Sequence, residues 1–265
     1  MPIRTLGDID VYYEEQGAGE PVLLLHGLGS STEDWEPQVA ALSRHRRVIT
    51  YDVRGHGRTS KPRGRYTIHQ FATDAAALLE LLDGGPAHIV GLSMGGCIAF
   101  QLALDRPDLV RSLVIVNSGP EMILRTWKER LAIRMRDVIV RFSGMRKMGE
   151  LLAPRLLPGD DRVALRQQFV ERWARNQGRA YLAALHAMIG WSVTARLGEL
   201  RCPTLIVASQ FDYTPTSAKE AFRARIRGAT LVEIPNAHHA VPIEDPQALN
   251  TVLERFLDGM THGGN

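Results

Sequence analysis

Short apolar runs recur along the chain with little polar alternation: PVLLLHG (21–27), RVITYD (47–52), AHIVGLS (87–93), SLVIVNS (112–118), PTLIVAS (203–209) and ATLVEIP (229–235). Such runs suit parallel strands covered on both faces, because neither side of the strand meets water. At the N-terminus, IRTL and DVYYEE flank Gly7-Asp8 and predict a hairpin. Segments of helical period lie at 34–44, 67–83 and 94–107, and two more follow the later runs at 216–226 and 245–259. Strand and helix alternate, which predicts an α/β fold with a mostly parallel sheet flanked by helices.

One interval breaks this rhythm. Residues 121–202 carry helical periodicity and no strand-like run, and they are too many for an ordinary connection. The pattern predicts a helical unit inserted over the sheet. The domain expectation is therefore a core of residues 1–120 and 203–265 with a helical cap at 121–202.

Composition adds little to this and charge adds more. With 265 residues, 45% of them hydrophobic and 23% charged, the chain can bury one large core, and disorder is excluded. A net charge of +3 is too small to argue for nucleic acid. Its distribution is uneven: residues 121–179 hold fourteen Arg/Lys against seven Asp/Glu, leaving the rest of the chain at −4. Solvated helix faces, attraction of an anionic substrate and a partner interface are the three readings of that excess. Cys97 and Cys202 sit in apolar runs and read as buried thiols. No signal-like apolar stretch opens the sequence, and none approaches the ~18 apolar residues of a membrane span. The expectation is a cytoplasmic protein, with a homo-oligomer left open.

The chemistry concentrates in Gly91-Leu92-Ser93-Met94-Gly95-Gly96, which follows an apolar strand and opens a helix. That is the context a G-x-S-x-G nucleophile elbow requires. The serine must occupy a sharp, strained turn, and its neighbours two residues away must be small. The turn would expose the Ser93 hydroxyl at a helix N-terminus, where the dipole favours developing negative charge. A hydroxyl is a poor nucleophile unless a base and an orienting acid accompany it. In the chain order Ser, acid, His, the acid after the fifth run (203–209) is Asp212, and the base is one of the adjacent His238 and His239. Asn117, at the end of the preceding strand, cannot carry the anion. His26, Asp52, Arg54 and His56 precede the nucleophile and read as buried polar turns.

These features together resemble the α/β-hydrolase fold family, in its capped, small-molecule serine hydrolase branch. The matching residues are His26-Gly27-Leu28-Gly29, Asp52-Val53-Arg54-Gly55-His56-Gly57, the elbow around Ser93, Asp212-Tyr213-Thr214-Pro215, and Asn236-Ala237-His238-His239 with Glu244 and Pro246. The resemblance implies a catalytic set of Ser93, Asp212 and His239. The family's spacing from the catalytic His to Glu-x-Pro selects His239 and puts His238 where Gly is usual. It also implies an oxyanion hole from the backbone N–H groups of Leu28 and Met94. No metal and no cofactor is implied. Ester or lactone hydrolysis is the favoured reaction. Carbon–carbon hydrolysis, perhydrolase or acyltransferase activity, and a non-catalytic ligand receptor are the alternatives. Ala240 stands where carbon–carbon hydrolases commonly carry Trp. Trp127, Trp173 and Trp191 of the cap are expected to supply pocket wall or packing.

Overall fold

The computed structural model describes residues 3–262, and its centre is an eight-stranded sheet. In chain order the strands are β1 (Ile3–Leu6), β2 (Ile9–Gln16), β3 (Pro21–Leu25), β4 (Arg47–Tyr51), β5 (Ala87–Leu92), β6 (Val110–Val116), β7 (Thr204–Ser209) and β8 (Thr230–Ile234). Across the sheet they run β1-β2-β4-β3-β5-β6-β7-β8. β2 pairs antiparallel with β1 and β4, and every other pair is parallel. Both the hairpin and the six apolar runs therefore stand where the sequence puts them. Residues 1–2 and 263–265, the ends of the expected core domain, lie outside the described residues.

Side-chain alternation explains why the runs are unbroken. Leu23 and Leu25 of β3 and Leu113 and Ile115 of β6 enter one buried core, while Val22, Leu24, Val114 and Val116 enter the other. The first core is closed by α2 (Ile68–Leu81) and α3 (Met94–Asp105). On the second side lie α1 (Glu36–Leu42) and α9 (Pro246–His262), whose Leu249, Leu253 and Leu257 recur every four residues on the buried face.

Two helix boundaries differ from the periodicity for one physical reason. A residue before proline is driven out of the helical region by the proline ring. α3 stops at Asp105 because Arg106 (φ −135, ψ 64) precedes Pro107. Asp245 (φ −138, ψ 72) precedes Pro246 and separates the short α8 (Val241–Glu244) from α9. At 34–44, a single 3-10 turn at Thr32–Trp35 comes first, and α1 starts with Pro37 in its first turn, where no N–H is needed.

Between β6 and β7 lie α4 (Trp127–Leu156), α5 (Val163–Ala174) and α6 (Gly178–Met188), with α4 broken at Gly144, whose φ of 80° ends the helical geometry. A lone bridge between Glu121 and Ser192 is its nearest approach to a strand among the described residues. A Thr126–Glu129 capping box starts α4. Three of this segment's cations pair with acids of the core. Arg172 reaches Glu33, Asp34 and Glu36, Arg175 reaches Glu33, and Arg162 pairs with Glu244. Cys97 and Cys202 are free thiols, and burial pushes Cys97 up to about 12. Among the described residues no helix is long and apolar enough to cross a membrane.

Candidate active site

Ser93 sits between β5 and α3 with φ 53 and ψ −115, a conformation that an L-residue adopts only under strain. The surrounding glycines are a steric requirement. A Cβ on Gly95 would strike the carbonyl oxygens of Leu25 and His26, and one on Gly91 would strike the Gly95 backbone. The Ser93 carbonyl accepts from the Gly96 N–H and from the Ser118 hydroxyl at 2.6 Å, which ties the elbow to the end of β6.

Asp212 follows β7 in a loop and is bonded to His239, Nδ1 to Oδ1, at 2.5 Å. Of the two adjacent histidines only His239 meets this carboxylate, and His238 turns its Nδ1 to Glu244 at 2.6 Å. Tyr213 lies on the His239 ring with centroids 4.5 Å apart. Asn117 occupies the alternative acid position and works as a clamp. Its amide donates to Ser209 Oγ and to the carbonyls of His238 and His239, and its Oδ1 accepts from the Ser209 N–H.

Ser93, His239, Leu28 and Met94 all line one cavity of about 440 Å³. Asp212 stands behind His239 with its side chain fully buried. Residues from four separate stretches of the chain thus meet at the C-terminal ends of the parallel strands, where open α/β sheets place their ligands. Among the described residues no cluster of His, Cys, Asp or Glu could hold a metal ion.

A family model described as alpha/beta hydrolase fold matches residues 20–142. A protein of Azorhizobium caulinodans named as the carbamate hydrolase RutD is 31% identical over 267 residues, covering 97% of this chain and 98% of its own. The chain belongs to the α/β-hydrolase fold family. Solved structures agree. A thermophilic esterase of Thermogutta terrifontis, malate bound, superposes with TM-score 0.88 at 28% identity, covering 97% of this chain and 96% of that one. The enol-lactonase of Burkholderia xenovorans LB400 gives 0.89 at 26%, covering 97% and 100%. The protein is a hydrolase of this fold.

Within that α/β-hydrolase frame, a residue that sequence reading passes over stands beside Asp212. Lys219, on α7 (Thr216–Arg223), donates to Asp212 Oδ2 at 2.6 Å and to the Thr214 carbonyl at 2.7 Å, with 1% of its side chain exposed. Burial works to raise the Asp212 carboxyl, but the hydrogen bonds and charges of His239 and Lys219 outweigh it and hold it well below the ordinary carboxylate range. The signal was available: Lys219 shares helical spacing with Phe222 and the buried Ile226, so it points at the core. Glu244 is fully buried and accepts from the His238 N–H at 2.5 Å, so it fixes the histidine loop and joins it to Arg162 of the inserted helices.

The buried polar turns behave as braces. His26 accepts the Val53 N–H on Nε2 at 2.9 Å, so its Nδ1 carries the proton and donates to the Gly27 carbonyl at 2.8 Å. Asp52 accepts from the N–H groups of Thr32 and Arg58, and Arg54 forks onto Asp74 and Asp8. Burial lowers His26, and burial together with the neighbouring His26 pushes His56 down to about 3. Both therefore stay neutral in the folded protein below the ordinary histidine value of about 6.5, while the unfolded chain takes up protons there. Stability is present above about pH 6.5 and is lost as pH falls from there toward the folded values, by up to about 1.4 kcal/mol per pH unit for each histidine. Urea midpoints measured from pH 7 to pH 5 are expected to fall accordingly, and a flat profile would contradict the assignment.

The three tryptophans divide. Trp173 lines the cavity and packs on Tyr181, and Trp191 donates to Gln101 on α3 at 2.8 Å. Trp127 does neither. It is 69% exposed, because it opens α4 on the outer side of the helix.

Proposed function

We propose that this hydrolase cleaves a carboxylic ester or lactone of a small molecule through an acyl-enzyme on Ser93. The observation that carries the reading is a serine at φ 53 opening onto the same cavity as a histidine whose other nitrogen is bonded to a buried carboxylate. In the cycle, Ser93 Oγ attacks the carbonyl carbon while His239 takes its proton. The oxyanion accepts from the N–H groups of Leu28 and Met94, each such donor being worth about 3 kcal/mol in the transition state. His239 then gives its proton to the leaving alcohol, and water activated by the same ring releases the acid. Asp212 keeps the imidazole oriented and balances its charge. Residues 121–202 act as the cap over this site, their Phe169 and Trp173 forming apolar wall.

The test is turnover of p-nitrophenyl butyrate together with labelling by a fluorophosphonate and peptide mass spectrometry. Turnover with the adduct on Ser93 is expected. Neither turnover nor adduct would leave a ligand receptor of this fold. A second reading, carbamate hydrolysis, rests on the 31% identity to the RutD protein. The same serine would attack a carbamate carbonyl, and a carbamate beside the esters in the panel separates the two.

The cavity also suggests an anionic substrate. Glu121 and Glu129 on its wall are engaged by Arg125 and the α4 cap, and Asp34 by Arg172, whereas among the described residues Arg136 meets only the Tyr181 hydroxyl, at 3.5 Å. Arg136→Gln is expected to raise KM for a carboxylate-bearing ester by about ten- to a hundredfold, as the loss of a charge-assisted bond should. A neutral analogue should be unaffected, and equal effects on both would reject the role.

A further inference from the structure

The outer face of α4 carries a ridge of large apolar side chains. Trp127, Leu131, Met135, Val138 and Phe142 follow one another at intervals of four, four, three and four residues, which places them within an arc of about 80° on a helix turning 100° per residue. Trp127 is 69% and Phe142 85% exposed, and the three between are about half exposed. A single exposed apolar side chain is ordinary, whereas a contiguous stripe marks a contact surface. At 1.5 Å per residue this stripe is about 22 Å long.

Cations border the ridge. Arg130, Arg134 and Arg141 run along one edge and Lys128 stands on the other. Among the described residues none of the four forms an ion pair: Arg130 reaches only the Leu124 carbonyl, and Lys128 lies over the Trp127 ring. The acids of this helix half are already engaged, Glu129 in the capping box and Asp137 with His186 at 3.0 Å. Four of the cations of residues 121–179 that do not bind the core thus border this stripe.

We infer that the α4 ridge is a peripheral docking surface for a membrane leaflet carrying anionic headgroups. An apolar face bordered by Lys and Arg, with aromatic residues at its ends, is the composition of a helix that lies in the lipid interface. A second copy of this chain fits poorly, because two ridges face to face would set cationic rows together with no free carboxylate between them. The surface is also a convex ridge, suited to sinking into acyl chains. On its opposite side the same helix presents Ala132, Ile133 and Arg136 to the active-site cavity, so docking sets the leaflet one helix thickness from that cavity.

The experiment is co-sedimentation of the full chain with phosphatidylcholine vesicles, with and without phosphatidylglycerol, across salt, alongside light scattering of the protein alone. The wild type should bind vesicles containing phosphatidylglycerol, more weakly as salt rises. Leu131→Ser with Phe142→Ser should lower the partition coefficient by about a hundredfold or more. Arg134→Gln with Arg141→Gln should lower it about fivefold per cation. Both pairs should keep the wild-type thermal midpoint within a few degrees, since the positions are exposed. A wild type that stays in the supernatant at low salt overturns the inference, as does equal binding without phosphatidylglycerol. A dimer that the Leu131/Phe142 pair dissolves would assign the ridge to self-association instead.

Discussion

Ser93→Ala is expected to lower kcat for p-nitrophenyl butyrate by about 10⁵- to 10⁶-fold and to leave the fold intact. Only Oγ is removed, and with it the proposed covalent route. The proposed oxyanion donors and the cavity remain, so residual catalysis of about a thousandfold over water is the expected floor. Stability should hardly change, because Ser93 makes no side-chain bond at the start of α3, and alanine carries the same Cβ into the same backbone conformation. Ser93→Gly should be equally inactive but more stable by about 1–2 kcal/mol, since glycine adopts φ near 53° without the strain an L-side chain pays there. Steady-state kinetics and urea unfolding of the three proteins check both halves. Activity above one part in about a hundred in Ser93→Ala would assign the nucleophile elsewhere. A glycine variant no more stable than wild type would mean that the elbow stores no strain.

What could be read from the sequence follows from the range of the forces involved. The strands were legible because burial on both faces leaves no polar alternation, as in the wholly buried β5 and β7. The elbow was legible because its steric demand falls on neighbours two residues away, Gly91 and Gly95, which leave a local trace. The resemblance to the family, through its spacing from His to Glu-x-Pro, selects His239 over His238, and His239 is the one bonded to Asp212. Long-range ion pairs leave no such trace. Arg172 meets Asp34 across 138 positions, so the basic excess at 121–179 could not be divided in advance into residues that dock on the core and residues that border the ridge. Trp127 was misplaced for the same reason: an aromatic at the start of an amphipathic helix does not say which face is covered.

Asp212→Asn is expected to cost about ten-thousandfold in kcat and, by a separate route, stability. The catalytic loss comes from the Oδ1 contact, where an amide can neither fix the imidazole tautomer nor balance its charge when it takes the serine proton. The structural loss comes from the other oxygen. Lys219 and Asp212 are a buried pair with side chains 1% and 0% exposed, and the substitution leaves an ammonium with, among the described residues, the Thr214 carbonyl as its remaining partner. Stranding one member of a buried pair costs about 3–5 kcal/mol, whereas replacing both by groups of similar volume is often nearly neutral. Asp212→Asn combined with Lys219→Met should therefore recover most of the stability and none of the activity. Lys219→Met alone should retain activity at high pH. Without the ammonium, burial acts on the carboxylate with His239 and the Thr214 hydroxyl left as its partners, so the Asp212 pKa moves back up. The sign for stability follows. A depressed folded-state pKa stabilises above the unfolded value of about 3.9, and this is lost as pH falls through the folded value. In Lys219→Met that loss should be smaller and complete at a higher pH than in the wild type, and the acid limb of kcat/KM should move up. Urea midpoints and pH profiles of the four proteins read the whole cycle. A double variant that regained turnover would remove Asp212 from the mechanism, and an unshifted acid limb would reduce Lys219 to a packing residue.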